Sequence, residues 1–301
     1  MSDQATFVTR LRASIGQSVV GLTSGSGPLI DYTSPPGDPG LFGPDAACWK
    51  VHSDFPSMMT GGISALLLQT LHPLALAGVW DHSTFRTDIL GRLRRTATFV
   101  ACTTYGNRAD ALALIERVKH IHSGVTGIAP DGRAYRASDP DLLTWVHVAE
   151  VSSFLNAYLR FKDPTFSNVD QDRYFDETAT IARMLGARDV PTTRAAIEEY
   201  LEAMHPQLQA SERTREVLNV LKRAPTPSIV MKPASRMLFS AGVDLLPEWA
   251  QQTLGLGSMK PARKIIANPG VKVVASVVRW GYTNTVSKRA LKRVTTPTST
   301  D

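Results

Sequence analysis

Cysteine is nearly absent from this 301-residue chain: there are two, Cys48 and Cys102. Two thiols exclude a disulfide framework and any zinc site built mainly from thiolates. Charged residues make up 20% and hydrophobic residues 43%, too apolar a balance for a disordered chain. The length suffices to bury a core without disulfide or metal. Sustained alternation of apolar and polar residues is missing, so no sizeable sheet is expected, and no dinucleotide fold on parallel strands. Missing too are Gly-x-Ser-x-Gly, Gly-x-x-x-x-Gly-Lys, His-Glu-x-x-His and any histidine pair at i, i+4. Their absence removes the usual support for a serine hydrolase, a phosphate loop or a zincin. The start, MSDQATFVTRLRAS, has an acid at Asp3, no apolar core and no twin arginine. The expectation is a cytoplasmic location.

Acid is what the C-terminal segment lacks. From Ser258 onward there are nine basic residues and one acid, Asp301. That segment carries +8, which leaves −2 for the rest of a chain whose total is +6. A nucleic-acid-binding body is not expected on this balance. Val271 to Thr283 reads VKVVASVVRWGYT, with Lys272, Ser276, Arg279 and Thr283 on one helical face. Two readings follow: a helix packed on the body with a solvated basic tail, or peripheral attachment at the inner membrane face. Another charge-free run, Gly61 to Trp80, approaches the length of a membrane span. Gln69, Thr70, His72 and Pro73 at its centre favour a buried helix pair broken near Pro73.

Helical periodicity recurs along the chain, so the expected class is all-α, with one globin-like domain. Residues 1–35 read as an N-terminal helix and linker, 36–256 as the main domain and 257–301 as a basic amphipathic extension. Asp45 is the expected N-cap of a helix through about Val51, and Pro56 opens the next. Further helices are expected over Asp88–Thr103, Arg108–Gly124, Pro140–Phe161 (capped by Asp139), Val169–Leu185, Thr192–Leu208, Arg213–Ala224 and Lys232–Leu246. The stretch PDGRAYRASDPD reads as a loop with a turn at Asp131-Gly132.

Seven histidines carry the chemistry to be weighed. His122 shares an apolar helical stripe with Ile115, Val118 and Val125, whereas His120 points elsewhere and should be exposed. His147 shares a stripe with Leu143, Glu150, Val151 and Phe154, as a ligand or as a core histidine bonded to Glu150 or a carbonyl. Arg92, Arg95, Thr96 and Phe99 recur at spacings of three and four. They form either a solvated basic face or a polar edge of a buried cofactor, where arginine suits carboxylates.

Several motifs in order resemble one family. They are Gly37-Asp-Pro-Gly-Leu-Phe-Gly-Pro-Asp45 followed by Trp49, Leu71-His-Pro-Leu-Ala-Leu-Ala-Gly-Val-Trp-Asp-His82, and Leu90-Gly-Arg-Leu-Arg-Arg-Thr96. Arg117-Val-Lys-His-Ile-His122, Tyr135-Arg-Ala and Trp145-Val-His147 follow. Over roughly Gly37 to Leu208 the chain resembles the superfamily of MpaB-type oxygenases and the rubber oxygenases called latex clearing proteins. The resemblance implies a haem-b-dependent oxygenase acting on a hydrophobic, isoprenoid-like small molecule. It implies His122 as the iron ligand, with Lys119 where those enzymes carry an arginine three residues earlier. Their Arg-x-x-Lys-Thr motif falls on Arg92, Arg95 and Thr96. Arg95 replaces a lysine that can approach the iron, and a guanidinium is a poor ligand, so the distal side differs. By the same resemblance Arg92 and His147 would contact the cofactor, and His72 would serve as a distal acid or base. Two other readings stay open: a non-catalytic haem or lipid carrier, and a non-haem iron enzyme using His72, His82 or His147 with a carboxylate.

Overall fold

Side-chain oxygens start most of the helices. The structure, a computed structural model, describes residues 9–10, 12–14, 16–17, 21, 30–226, 232–257 and 261–297, with the backbone alone for 261–269. Asp54, Asp88, Asn107, Asp139, Ser167, Thr193, Ser211 and Thr285 each accept from a backbone N–H two or three residues on. These bonds satisfy donors that a first helical turn leaves free. The result is α1 (Ala47–His52), α2 (Phe55–Gln69), α3 (Pro73–His82), α4 (Ile89–Tyr105), α5 (Arg108–Gly124), α6 (Pro140–Phe161), α7 (Asn168–Leu185), α8 (Arg194–Met204), α9 (Glu212–Lys222), α10 (Lys232–Leu245), α11 (Glu248–Thr253), α12 (Pro261–Gly281) and α13 (Val286–Thr295). The class is all-α, as the periodicity predicts. Ala46, not Asp45, holds the cap position of α1, and it offers no side-chain bond. The expected N-terminal helix falls partly outside the described residues; those described between 9 and 21 are helical.

One hairpin interrupts the helices. β1 (Thr126–Ile128) pairs antiparallel with β2 (Ala134–Arg136), setting Gly127 opposite Tyr135. Gly132 in the intervening turn has φ 86°, a conformation glycine adopts without penalty. Strands of three residues are too short to display a period, which is why the stretch reads as loop.

Helix α6 is the centre of the molecule. Fourteen of its 22 residues are buried, so it is apolar nearly all round, as a core helix must be. Its Val148, Leu155 and Tyr158 join one core with Trp49, Tyr105, Tyr174 and Phe175. Its Trp145 and Ala149 join a second with Leu67, Leu71, Phe85 and Leu218. Helix α2 lies close along it: a Cβ at Gly61 would stand 2.8 Å from the Ser153 carbonyl oxygen, so only glycine permits this approach. Among the described residues no single helix is long and apolar enough to cross a membrane. The charge-free run is the pair α2 and α3, bent by 107° at a break of Thr70, Leu71 and His72.

The C-terminal helices are bound into the body, and two of their basic residues turn inward. Arg279 of α12 pairs with the nearly buried Asp54 at 2.7 and 2.9 Å and donates to the Phe161 carbonyl at 2.9 Å. Arg293 of α13 is fully buried. It donates to the carbonyls of Asp38, Tyr32 and Gly106 at 2.9, 3.3 and 3.2 Å. Arg279 therefore lies against the body, apart from the exposed Lys272 and Ser276 of the same expected face. Asp54 needs a counter-charge, and meeting it rotates α12 so that Val271 and Ala275 face in while Val273 and Val277 face out.

Candidate functional site

Helices α2 to α6, α9 and the hairpin leave a cavity of about 270 Å³ between them. Leu66, Leu74, Leu76, Val79, Phe85, Ile89, Val125, Leu142, Leu143, Val146, Val217 and Leu221 make most of its wall. The polar groups are few: Gln69, Thr70, His82, Ser83, Arg92, His122 and Tyr135. An apolar cavity with a handful of convergent polar groups is the usual form of a small-molecule site.

His122 reaches this wall from the last turn of α5, on the stripe it shares with Ile115. Its Nδ1 is buried and has no hydrogen-bond partner. Burial lowers its pKa, which favours the neutral ring over the imidazolium. Arg92 reaches the wall from the first turns of α4. It donates to Ser83 Oγ at 2.8 Å and, among the described residues, has no carboxylate partner. Burial, and then neighbouring Arg95, lower its pKa. A half-buried cation without a counter-charge leaves room for a ligand that supplies one.

The other expected residues are dispersed. Arg95 shares the stripe of Arg92 but points outward; its side chain is 62% exposed, 3.9 Å from Asp88, and donates to Thr84 Oγ1 at 3.1 Å. Thr96 is exposed and turns its hydroxyl back to the Arg92 carbonyl. The solvated reading of this face thus holds for Arg95 and Thr96 and fails for Arg92. Lys119 is half exposed beside Glu116, off the cavity. His120 is exposed, as expected.

His72 is buried but is not on the wall. It caps α3, its Nδ1 accepting from Ala75 N at 3.4 Å, and its ring lies against Trp145. Burial, aided by Arg133, lowers its pKa to about 4. His82 is on the wall and donates from Nε2 to the Thr126 carbonyl at 3.1 Å. His147 lies off the wall, and its buried Nε2 has no partner. The expected bond to Glu150 or a carbonyl is therefore not formed at that nitrogen. Burial lowers the His147 pKa to about 4, and burial alone raises that of Glu150 to about 7. Among the described residues no three His, Cys, Asp or Glu side chains converge on one metal position.

Tyr135 is the wall residue that periodicity did not single out. Its hydroxyl donates to Asp81 Oδ2 at 2.7 Å, and burial with Asp81 raises its pKa to about 12. Gly127 makes this possible, because a Cβ there would overlap the phenol oxygen. The signal was present in Tyr135-Arg-Ala, a family motif, but nothing local marks a tyrosine in a short strand as a wall residue.

No curated protein and no solved structure matches this chain. A family model described as ER-bound oxygenase mpaB/B'/rubber oxygenase, catalytic domain, does match, over residues 49–280. That span holds every wall residue of the cavity, and the chain belongs to this oxygenase family.

Proposed function

We propose that the protein is a haem-b-dependent oxygenase acting on a hydrophobic small molecule of isoprenoid character. The observation that carries the reading is that one apolar cavity is lined both by His122, whose Nδ1 is buried and unpartnered, and by Arg92, a half-buried guanidinium with no carboxylate partner among the described residues. These are the two groups a haem requires of a protein, an axial ligand and a partner for its propionates. Haem, when bound, supplies the activation of dioxygen. The chain's own contributions are more limited. His122 would hold the iron through a neutral ring. Arg92 would hold a carboxylate of the cofactor or substrate. The leucine, valine and phenylalanine walls exclude water and select an apolar substrate. Tyr135 on the wall would set local polarity, whereas roles for His72, Arg95 and Thr96 rest on the family resemblance alone.

The test is the visible spectrum of protein purified from haem-supplied cells. Wild type should show a haem Soret band. His122→Ala should lose most of it, and His120→Ala should keep it. Wild type without haem, or His122→Ala with an unaltered spectrum, would overturn the assignment. Oxygen uptake by the haem-loaded protein with an electron donor separates an oxygenase from a carrier.

A further inference from the structure

Helix α12 presents to solvent the side that an ordinary surface helix hides. Val273 is 64% exposed, Val277 46% and Trp280 40%. They stand at i, i+4 and i+7, one line along the helix. Lys272 and Ser276 are exposed beside them. At the C-terminal end of the line the N-terminal helix brings up another cation: Arg12 donates from Nε to the Trp280 carbonyl at 3.1 Å, its guanidinium 5.9 Å from the indole ring. The following helix α13 exposes Lys288 and Lys292 around Leu291, itself 44% exposed. Not one aspartate or glutamate occurs from residue 258 to residue 300.

The inward pairing of Arg279 with Asp54 fixes this orientation, so the apolar line cannot roll into the core without leaving the Asp54 carboxylate unpaired. A row of apolar side chains with Lys272, Ser276 and Arg12 beside it, and no acid on its own helix, meets water badly. It is matched by a surface that offers hydrocarbon and negative charge together. A tryptophan at one end suits the headgroup boundary, and lysine stems can lie along the apolar strip while their ammonium groups reach phosphate.

We propose that the exposed face of α12, with Arg12 beside it, docks the protein on anionic phospholipid bilayers. The interaction is peripheral, with Val273, Val277 and Trp280 entering the headgroup layer. It does not rest on the haem assignment, and its failure would leave that assignment standing.

The experiment is co-sedimentation of the full chain with phosphatidylglycerol–phosphatidylcholine vesicles, against pure phosphatidylcholine vesicles and against high salt. Binding is expected only to the anionic vesicles at low salt, accompanied by a blue shift in tryptophan emission that Trp280→Phe removes. Val273→Glu/Val277→Glu should weaken binding by about tenfold or more. Lys272→Gln should weaken it roughly fivefold. Val169→Glu changes a 79% exposed valine on α7 and should leave binding unchanged. All five substituted residues are exposed, so unchanged thermal melts are expected to accompany these results. Wild type that stays in the supernatant overturns the proposal, as does a double variant that binds like wild type or equal binding to neutral vesicles. Light scattering that shows a dimer broken by Val277→Glu would also overturn it, by identifying a second copy as the occupant.

Discussion

Replacing Glu150 by glutamine should stabilise the protein, and only on the alkaline side. Glu150 sits in the middle of α6, the central helix, within electrostatic reach of Tyr174. Burial alone raises its pKa from 4.5 to about 7. A group whose pKa is raised by folding helps the folded state while it stays protonated and loses that help as pH climbs through the raised value. Wild type should therefore give up stability between about pH 4.5 and about pH 7. With about 1.4 kcal/mol per unit, the loss is on the order of 3 kcal/mol. Glutamine has the same shape and no charge to desolvate. Glu150→Gln should match wild type near pH 4.5 and exceed it by roughly 5–10 °C in Tm above pH 7. Calorimetry of both proteins across that range is the assay. Parallel curves, or a variant that is less stable at every pH, would show that the carboxylate has a partner and refute the burial argument.

Acid should act in the opposite direction through the histidines. Burial lowers His52, His72 and His147 from 6.5 to about 3, 4 and 4. Their contribution is complete above pH 6.5 and is lost as pH falls through the lowered values. Circular-dichroism melts should show this acid limb, and His147→Asn should flatten it by on the order of 3 kcal/mol; an unchanged limb would refute the assignment. Arg293→Met should destabilise by roughly 3–5 kcal/mol, because three carbonyls, those of Tyr32 and Gly106 in buried bonds, lose their donor at once. A urea-denaturation midpoint within error of wild type would refute that role.

Helix positions were legible because the chain marks its own starts. Asp88, Asn107 and Asp139 stand where backbone donors need an acceptor, and periodicity does the rest. The place of His122 on the cavity wall was legible for a similar reason: it shares a helical stripe with the buried Ile115. Periodicity assigns a residue to a face but does not say what the face meets. Arg92, Arg95 and Thr96 share a stripe, yet only Arg92 reaches the depth of the cavity. The inward turn of Arg279 is decided by a carboxylate 225 positions away, which no local pattern records. Val217 and Leu221 close the cavity from α9, almost one hundred residues after His122, and contribute nothing that distinguishes them from ordinary core residues. His72 shows the converse. Its motif drew attention to it, and the structure uses it to cap a helix.

The seat of Arg293 bears on how the protein is made. Its guanidinium fastens Tyr32, Asp38 and Gly106 from 187 to 261 positions downstream, and its own carbonyl accepts from Gly37 N at 2.7 Å. During synthesis the loop around Gly37 leaves the ribosome long before its fastener exists. The central helices can pack on α6 as they emerge, but the loop-to-helix seam has to wait until residue 293 is clear of the exit tunnel. Nascent chains paused before α13 should accordingly hold a protease-sensitive stretch near residues 32–40 that becomes protected only after release.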